Sequence, residues 1–312
     1  MPRFGSRTRV STYLSDWMPS GDVTRQSVAG YITGGYYGEG GIYNGIVKHM
    51  FETDTASLIA ATLTVNTYGS SAYANSPVAG YVAGGLNPSG GLSGIDRLAF
   101  PIDTKSTLSA TLPATRQWSA GYSNNSVAGY TAGGVVGGAA VSSIVKHLYS
   151  NETISTIAGT LSRESMYHRG FANSGVSGYT ASNNGTSQQI IQKHIFPNDT
   201  LTTVSANTVQ GYQASCMSNN GVAGYICGSV SVYVIEKLAY PADTKTTLAA
   251  TVTTYGYACA YSDNGMAGYI GGGYNPALST VDKISFTTDT KSVLSILPST
   301  IHFPDAFANS GL

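Results

Sequence analysis

SVAGYITGG at residues 27–35 is the first of six copies of one motif, and this repetition decides the fold. The other copies read PVAGYVAGG (77–85), SVAGYTAGG (126–134), GVSGYTASN (175–183), GVAGYICGS (221–229) and GMAGYIGGG (265–273). The tyrosine of the Gly-Tyr pair recurs at intervals of 50, 49, 49, 46 and 44 residues. A steady period of this length indicates a repeat architecture in which each copy is one supersecondary unit.

Each copy continues with three more strand-length segments that are rich in Val, Ile, Thr, Tyr and Phe. The second segment carries a basic residue and an aromatic, as in IVKHMFETDT (46–55), and the third is short and apolar, as in STLSATLP (106–113). The last, as in SAYANS (71–76), leads through Asn or Gly into the next copy. We label the strands A to D, with A the Asn/Gly-terminated one. Four strands in each copy predict a propeller blade.

The ends of the chain determine how the ring closes. The first B strand begins at Val28 with no A strand before it, whereas the final DAFANSGL (305–312) matches an A strand and has no B strand after it. The expected fold is therefore an all-β, six-bladed propeller of four-stranded blades, with the C-terminal strand joining blade one. This pairing removes an open strand edge. Residues 27–312 are expected to form the propeller, and residues 1–26 an extended N-terminal arm.

Composition excludes several classes of protein. Charged residues make up 10% of the chain, against ~25% in an average soluble protein, and the net charge is zero, so no nucleic-acid partner is expected. No apolar stretch approaches the ~18 residues of a membrane span, and residues 1–20 lack a secretory signal, so we expect synthesis in a cytoplasm. The three cysteines, Cys216, Cys227 and Cys259, are expected to be small buried hydrophobes rather than a disulfide framework.

Two sets of side chains recur with the repeat and invite a functional interpretation. A basic residue occupies one place in every blade (Lys48, Arg97, Lys146, Lys193, Lys237 and Lys283), and we predict that each pairs with the acidic residue of its own turn. His49, His147 and His194 follow this residue in three blades, whereas the others have Leu98, Leu238 and Ile284. A position that accepts Leu or Ile predicts a semi-buried packing site, so no metal site is expected.

The strand order, the Asn-Gly turns and the Gly-Gly endings resemble the kelch repeat of kelch and galactose-oxidase-type propellers over residues 27–312. Phe/Tyr-Pro-x-Asp-Thr replaces the usual strand-C Tyr-Asp, and the strand-D Trp is missing. No hydrolase or copper-oxidase constellation is present, so neither a catalytic residue nor a cofactor is expected. The AGY-x-x-GG form of the repeat also resembles kelch-like proteins of tailed bacteriophages. This resemblance implies a virion protein that is assembled in the host cytoplasm.

The loops supply the candidate binding residues. In a four-stranded meander the A–B and C–D turns lie on one face of the disc, and the B–C and D–A connections lie on the other. The latter vary and carry aromatics, which commonly form binding surfaces on rigid scaffolds. The alternative is that they only cover the seams between blades. The predicted binding face comprises Tyr36, Tyr37, Tyr43, Asn44, Trp118, Tyr167, Tyr255, Tyr274 and Asn275.

These features favour a non-enzymatic structural or binding component of a bacteriophage virion, in its tail, baseplate, fibre or capsid decoration. Its arm, with Arg3, Arg7, Arg9 and Trp17, is expected to attach it to other virion proteins. A lectin-like propeller that binds a host-surface glycan is the alternative function, and the two are compatible. An intracellular kelch adaptor is a weaker alternative, because adaptors expose charged pockets and charges are scarce here.

Overall fold

The computed structural model describes residues 29–37, 40–167, 169–182, 189–209, 212–254, 256–274 and 278–309. It confirms the predicted all-β propeller of six four-stranded antiparallel blades. The described residues include one short 3₁₀ turn, Phe196–Asn198. The boundary between the arm and the propeller stays a prediction, since residues 1–28 lie outside the described part of the chain.

The strands of each blade are given in the order A, B, C, D. Blade one is β29 (Asp305–Asn309), β1 (Ala29–Thr33), β3 (Gly45–Met50) and β4 (Thr55–Thr62). Blade two is β5 (Ser71–Asn75), β6 (Ala79–Ala83), β9 (Ile95–Ala99) and β10 (Thr104–Thr107). Blade three is β11 (Ala120–Asn124), β12 (Ala128–Ala132), β14 (Ala139–Leu148) and β15 (Thr153–Ser165).

Blade four is β16 (Arg169–Asn173), β17 (Ser177–Ser182), β18 (Ile190–Ile195) and β19 (Thr200–Thr203). Blade five is β20 (Ser215–Asn219), β21 (Ala223–Ser229), β22 (Val232–Ala239) and β23 (Thr244–Thr251). Blade six is β24 (Ala258–Asp263), β25 (Ala267–Gly272), β26 (Val281–Ser285) and β27 (Lys291–Leu294). Five short strands lie in the loops: β2 (Tyr36–Tyr37), β7 (Leu86–Asn87), β8 (Gly90–Gly91), β13 (Val135–Val136) and β28 (Ile301–His302).

Closure of the ring takes the predicted form. Strand β29 pairs antiparallel with β1, with Asn309 opposite Ala29 and Asp305 opposite Thr33. Each A strand contacts the A strands of both neighbouring blades, so the six A strands surround the axis. Strand β1 is buried along its whole length, because it lies between two strands and between two blades, whereas the outer strand β4 alternates towards solvent.

The packing contact between neighbouring blades, which we call the seam, requires a glycine in each B strand. The central residue of each A strand is large and lies flat on the Gly-Tyr glycine of the next blade. A Cβ atom on Gly80 would lie 2.0 Å from the Phe307 ring, and one on Gly129 would lie 2.2 Å from the Tyr73 ring. The other four pairs are Gly30 with Tyr261, Gly178 with Tyr122, Gly224 with Phe171, and Gly268 with Met217. The glycine is therefore a packing requirement of the repeat.

The B-strand tyrosine of each blade packs against the same next blade. Tyr31 stacks on Phe100 of the next blade with a ring-centroid distance of 5.1 Å, and Tyr269 stacks on Phe51 at 4.9 Å. The remaining stacks are Tyr81 with Tyr149, Tyr130 with Phe196, Tyr179 with Tyr240, and Tyr225 with Phe286. Such pairs contribute about 0.5–1.5 kcal/mol each beyond their burial, so six of them add materially to the closed ring.

We expect Gly80→Ala to lower the free energy of unfolding by about 1–3 kcal/mol, because the new methyl group would overlap the Phe307 ring. Gly94→Ala is the matched control, since a Cβ at Gly94 meets no atom within 4 Å. Urea denaturation followed by tyrosine fluorescence measures both. Equal midpoints for the two variants would show that the glycine is not needed for packing.

Candidate functional site

The repeated basic residues form a ring, but the predicted partner was wrong. Each one pairs with the acidic residue of the next blade rather than with that of its own turn: Lys48 Nζ lies 2.7 Å from Asp103 Oδ2, and Lys283 Nζ lies 2.6 Å from Asp54 Oδ2. The other pairs are Arg97–Glu152, Lys146–Asp199, Lys193–Asp243 and Lys237–Asp289. The ring is closed and internally neutral, so it serves assembly of the propeller.

The reason for the correction is geometric. Side chains of a strand stand perpendicular to the sheet, so Lys48 projects towards the neighbouring blade. Tyr31 lies directly opposite Lys48 in the sheet, and its ring centroid is 5.6 Å from Lys48 Nζ. The Tyr31 hydroxyl donates to Asp103 Oδ1 at 2.7 Å, so the carboxylate of the next blade receives both groups.

The three histidines are buried in the same seams. His194 Nδ1 lies 3.1 Å from the hydroxyl of Tyr122 in the preceding blade, and its Nε2 lies 3.1 Å from Asp199 Oδ1. Because a carboxylate only accepts, Nε2 carries the proton and Nδ1 accepts from the tyrosine. His147 makes the same pair of contacts with Tyr73 and Glu152. The histidines are thus fully buried and hydrogen-bonded, where the sequence predicted semi-buried packing residues.

The choice between histidine and an aliphatic residue follows the neighbouring blade. Histidine occurs where the preceding A strand supplies a tyrosine, as in the pair His49 and Tyr261, whose Nδ1 and hydroxyl lie 3.0 Å apart. Leu98, Leu238 and Ile284 follow Phe307, Phe171 and Met217, which have no hydroxyl group. This covariation is visible in the sequence once the A and C strands are aligned across blades.

Aromatic side chains converge over the axis on the face formed by the B–C and D–A connections. Trp118 of blade three reaches Phe303, which precedes blade one, with ring centroids 5.5 Å apart. The Trp118 side chain can extend past blade two because that blade has Gly69 at the equivalent position. A Cβ atom on Gly69 would lie 2.5 Å from the indole. We call the cluster the aromatic cap; it consists of Tyr36, Tyr68, Trp118, Tyr167, Tyr212, Tyr257, Tyr274 and Phe303.

The backbone beneath the cap is strained and ordered by hydrogen bonds. Trp118, Tyr167, Tyr257 and Phe303 all have φ between 54° and 57°, a region that bulky residues rarely adopt. Tyr167 N donates to Trp118 O at 2.9 Å, and Phe303 N donates to Tyr257 O at 3.0 Å. Bonds of this kind join one blade to the next around the axis. Strain held in place by surrounding structure is a feature of binding and catalytic sites.

The structure brings together part of the predicted binding face. Tyr36, Trp118, Tyr167 and Tyr274 belong to the aromatic cap, and Tyr274 is 58% exposed. Tyr37 and Tyr43 pack against each other, with ring centroids 4.3 Å apart.

Asn44 follows Tyr43 in the B–C loop of blade one, and its Nδ2 donates to Leu63 O at 3.2 Å. Tyr255 and Asn275 lie outside the described residues, as do the arm residues Arg3, Arg7, Arg9 and Trp17.

Four cap residues are absent from the predicted binding face: Tyr68, Tyr212, Tyr257 and Phe303. Tyr257 and Phe303 stand four residues before the central residue of their A strands, the position that Trp118 and Tyr167 also occupy. Counting back from the aligned A strands would have found them. Their left-handed backbone would not have been found, because φ is set here by the bonds between blades.

The cap tyrosines are neutral hydrogen-bonding and stacking groups. Burial raises the pKa of Tyr68 to about 12, and Tyr36 adds to this increase. Burial likewise raises the pKa of Tyr212, which lies against Tyr167. Phenols with raised pKa values stay protonated at neutral pH, so they suit recognition of a ligand rather than proton abstraction.

Other groups with potential chemistry are dispersed. Cys216, Cys227 and Cys259 are free and buried, as predicted, and burial raises the pKa of the Cys259 thiol to about 12. Across the described ranges, no group of three His, Cys, Asp or Glu side chains is placed to hold a metal ion. The same residues contain no helix with the length and apolarity needed to cross a bilayer.

Comparison with known proteins adds no assignment. No protein-family model matches the sequence, and no curated protein matches it. The propeller fold therefore rests on the structure, and the likeness to kelch repeats rests on the motifs of the sequence.

We expect acid to destabilise the protein through its buried histidines. Burial lowers the pKa of His49 from 6.5 to about 4, and it also lowers the pKa values of His147 and His194. Protons therefore bind more tightly to the unfolded chain, and the stability present above pH 6.5 is lost as the pH falls towards 4. Urea midpoints measured across this range test the sign, and a midpoint that rises on acidification would contradict it.

A double-mutant cycle isolates one pair. Tyr73→Phe alone leaves His147 without its hydroxyl partner and should cost about 1–3 kcal/mol. Tyr73→Phe combined with His147→Leu reproduces the Phe/Leu seam of blade two and should recover most of this loss. The double variant should also have a weaker pH dependence. Strictly additive effects would show that the two side chains are not coupled.

Proposed function

We propose that this chain is a non-enzymatic binding component of a bacteriophage particle, a kelch-type propeller that contacts another protein or the host surface. The aromatic cap is the observation that carries the proposal. It gathers eight aromatic side chains on one face of a rigid disc. Tyrosine and tryptophan supply large contact areas and are enriched where proteins bind partners.

Rigidity makes the cap suitable for binding. The hydrogen bonds between Trp118, Tyr167 and Gln213 fix the backbone from which its side chains project. A ligand would then meet side chains that have already lost much of their conformational freedom, and less entropy is lost on association. The left-handed conformation of Trp118 has its own energetic cost, which is easiest to understand if the side chain must lie over the axis.

The assignment to a phage particle is supported by the form of the repeat motif and by the amino-acid composition of the chain. Motifs such as AGYITGG (29–35) with IVKHMFETDT (46–55) resemble kelch-like proteins of tailed phages. The sparse charge and the many Gly, Ser, Thr, Asn and Tyr residues agree with this assignment. Residues 1–26 are proposed to attach the propeller to other virion proteins, with Trp17 as the anchor.

Purified particles from the source should contain this chain when they are analysed by mass spectrometry. Deletion of residues 2–22 should leave a folded propeller with an unchanged urea midpoint, because the strands of all six blades come from residues 29–309. The truncated chain should be missing from particles. Particles without the full-length chain would refute the virion assignment, and particles that incorporate the truncated chain would refute only the role of the arm.

A host-surface glycan is a second candidate ligand, and the exposure of Tyr274 favours it. This residue is 58% exposed, and its ring lies 5.6 Å from both Tyr257 and His302. An exposed ring supported from below by others can stack on the apolar face of a sugar. The cap would then be the contact with the host.

On a glycan array, the full chain should bind a subset of glycans, and Tyr274→Ala should reduce that binding about tenfold or more by removing one stacking contact. Tyr233→Ala is the matched control, because Tyr233 is 41% exposed but lies in strand β22 and is not one of the cap residues. A flat array, or equal loss in both variants, would rule out glycan binding by the cap.

A further inference from the structure

The face opposite the aromatic cap opens into a well on the propeller axis. A cavity of about 190 Å³ lies between the six A strands, and it opens at the A–B turns. Five turn residues surround its mouth: Ser76, Asn125, Ser174, Asn220 and Asn264. The sixth equivalent position, residue 310, lies outside the described residues. We call this cavity the axial well.

The walls of the well are made of small side chains. All twelve axis-facing positions of the A strands carry Ala, Gly, Ser or Cys, for example Ala74, Ala172, Ser218 and Gly170. The mouth residue Asn220 directly follows strand β20 and stands four residues after the wall residue Cys216, which corresponds to a depth of about 13 Å. Small residues leave this space open where larger ones would fill it.

The floor is built by two residues that break the repeat. Arg169 of blade four and Asp305 of blade one replace the small residues of the other blades, and they face each other across the axis. Arg169 Nη1 lies 3.0 Å from Asp305 Oδ1, and Ser70 donates to the other carboxylate oxygen. This ion pair separates the well from the aromatic cap, so the well is blind and its floor carries paired charges.

The mouth amides are fixed by bonds between blades. Asn220 Oδ1 accepts from Ser174 N at 2.6 Å, and Asn264 Oδ1 accepts from Asn220 N at 2.9 Å. Their oxygens are thus engaged, whereas their Nδ2 groups make no bond to another described residue. Asn125 has the opposite arrangement: its Nδ2 donates to Ser76 O at 2.8 Å, and its buried Oδ1 has no partner among the described residues. The mouth therefore offers the amide donors of Asn220 and Asn264 in fixed positions, beside serine hydroxyls that both donate and accept.

The chemistry of the well selects a class of ligand. Among the described residues, the charges of the well are those of Arg169 and Asp305 in its floor, which are paired with each other, so a charged ligand would lose hydration without gaining a free counter-ion. An anion would use only the donors, and a cation only the hydroxyl oxygens of the serines. Hydroxyl groups both donate and accept, and they satisfy the two kinds of group together. Val127 and Val222, two positions after mouth residues of the same turns, are exposed aliphatic side chains.

We propose that the axial well binds a neutral, hydroxyl-rich ligand of monosaccharide size, held by the amides of Asn220 and Asn264 and by the serine hydroxyls of the mouth. This site is separate from the cap on which the proposed function rests, because the Arg169–Asp305 pair lies between them. The ligand replaces the water that otherwise solvates the well, and the preorganised amides reduce the entropy lost on binding.

Ligand-observed NMR on the full chain tests the proposal with neutral hexoses, N-acetylhexosamines and a hexitol, and with glucuronic acid as a charged counterpart. Saturable binding of a neutral compound is expected, and glucuronic acid should bind at least about tenfold more weakly. Asn220→Ala should weaken binding about tenfold through the lost hydrogen bond. Ala172→Leu fills the well without touching the mouth bonds and should abolish binding even if Asn220→Ala disturbs the fold.

Tyr274→Ala is the control, because it alters the cap and should leave binding in the well unchanged. Three results would overturn the proposal: no neutral compound binds saturably, binding persists in Ala172→Leu, or glucuronic acid binds as well as the neutral sugars. If Tyr274→Ala alone abolishes binding, the sugar site is the cap, and the proposed function survives while the well is only a water-filled channel.

Discussion

The molecule depends on one constraint: each blade can bury both faces of its sheet only by packing against two neighbours. The contact that satisfies it places a large A-strand side chain, such as Phe307, on the bare glycine of the next blade, here Gly80. The stacked Tyr31 and the charge of Lys48 then reach the same neighbour. Packing, stacking and ion pairing therefore all run from one blade to the next in the same direction around the ring.

Because the seam repeats, much of the fold could be predicted from the sequence. The Gly-Tyr period gave the blade count, and the unmatched DAFANSGL segment (305–312) gave the closure. The partner of Lys48 could not be obtained this way, since Asp54 is closer in sequence and only the sheet geometry directs the side chain to Asp103. Only part of the aromatic cap could be predicted from the sequence. Trp118 and Tyr167 were recognised as loop aromatics, but Phe303 meets them only because backbone bonds between blades bring it there.

The two ends of the axis are specialised in opposite ways. One end is covered by large aromatic rings over a strained backbone, and the other is left open by small residues beneath a ring of amides. The repeat alone would make both ends uniform. The departures from it, Gly69 under Trp118 and the pair formed by Arg169 and Asp305, are what give the disc two chemically different faces.

The closing strand also has a consequence for synthesis. Five blades take their strands from one continuous stretch of chain, but blade one receives β29 from a segment that follows β1 by 272 residues. At ribosomal rates of about 5–20 residues per second, β1 waits roughly 15–55 s with an unpaired edge. During that interval the nascent chain presents a template that a finished β29 from another copy fits equally well. Local concentration on the polysome therefore competes with the chain's own closure.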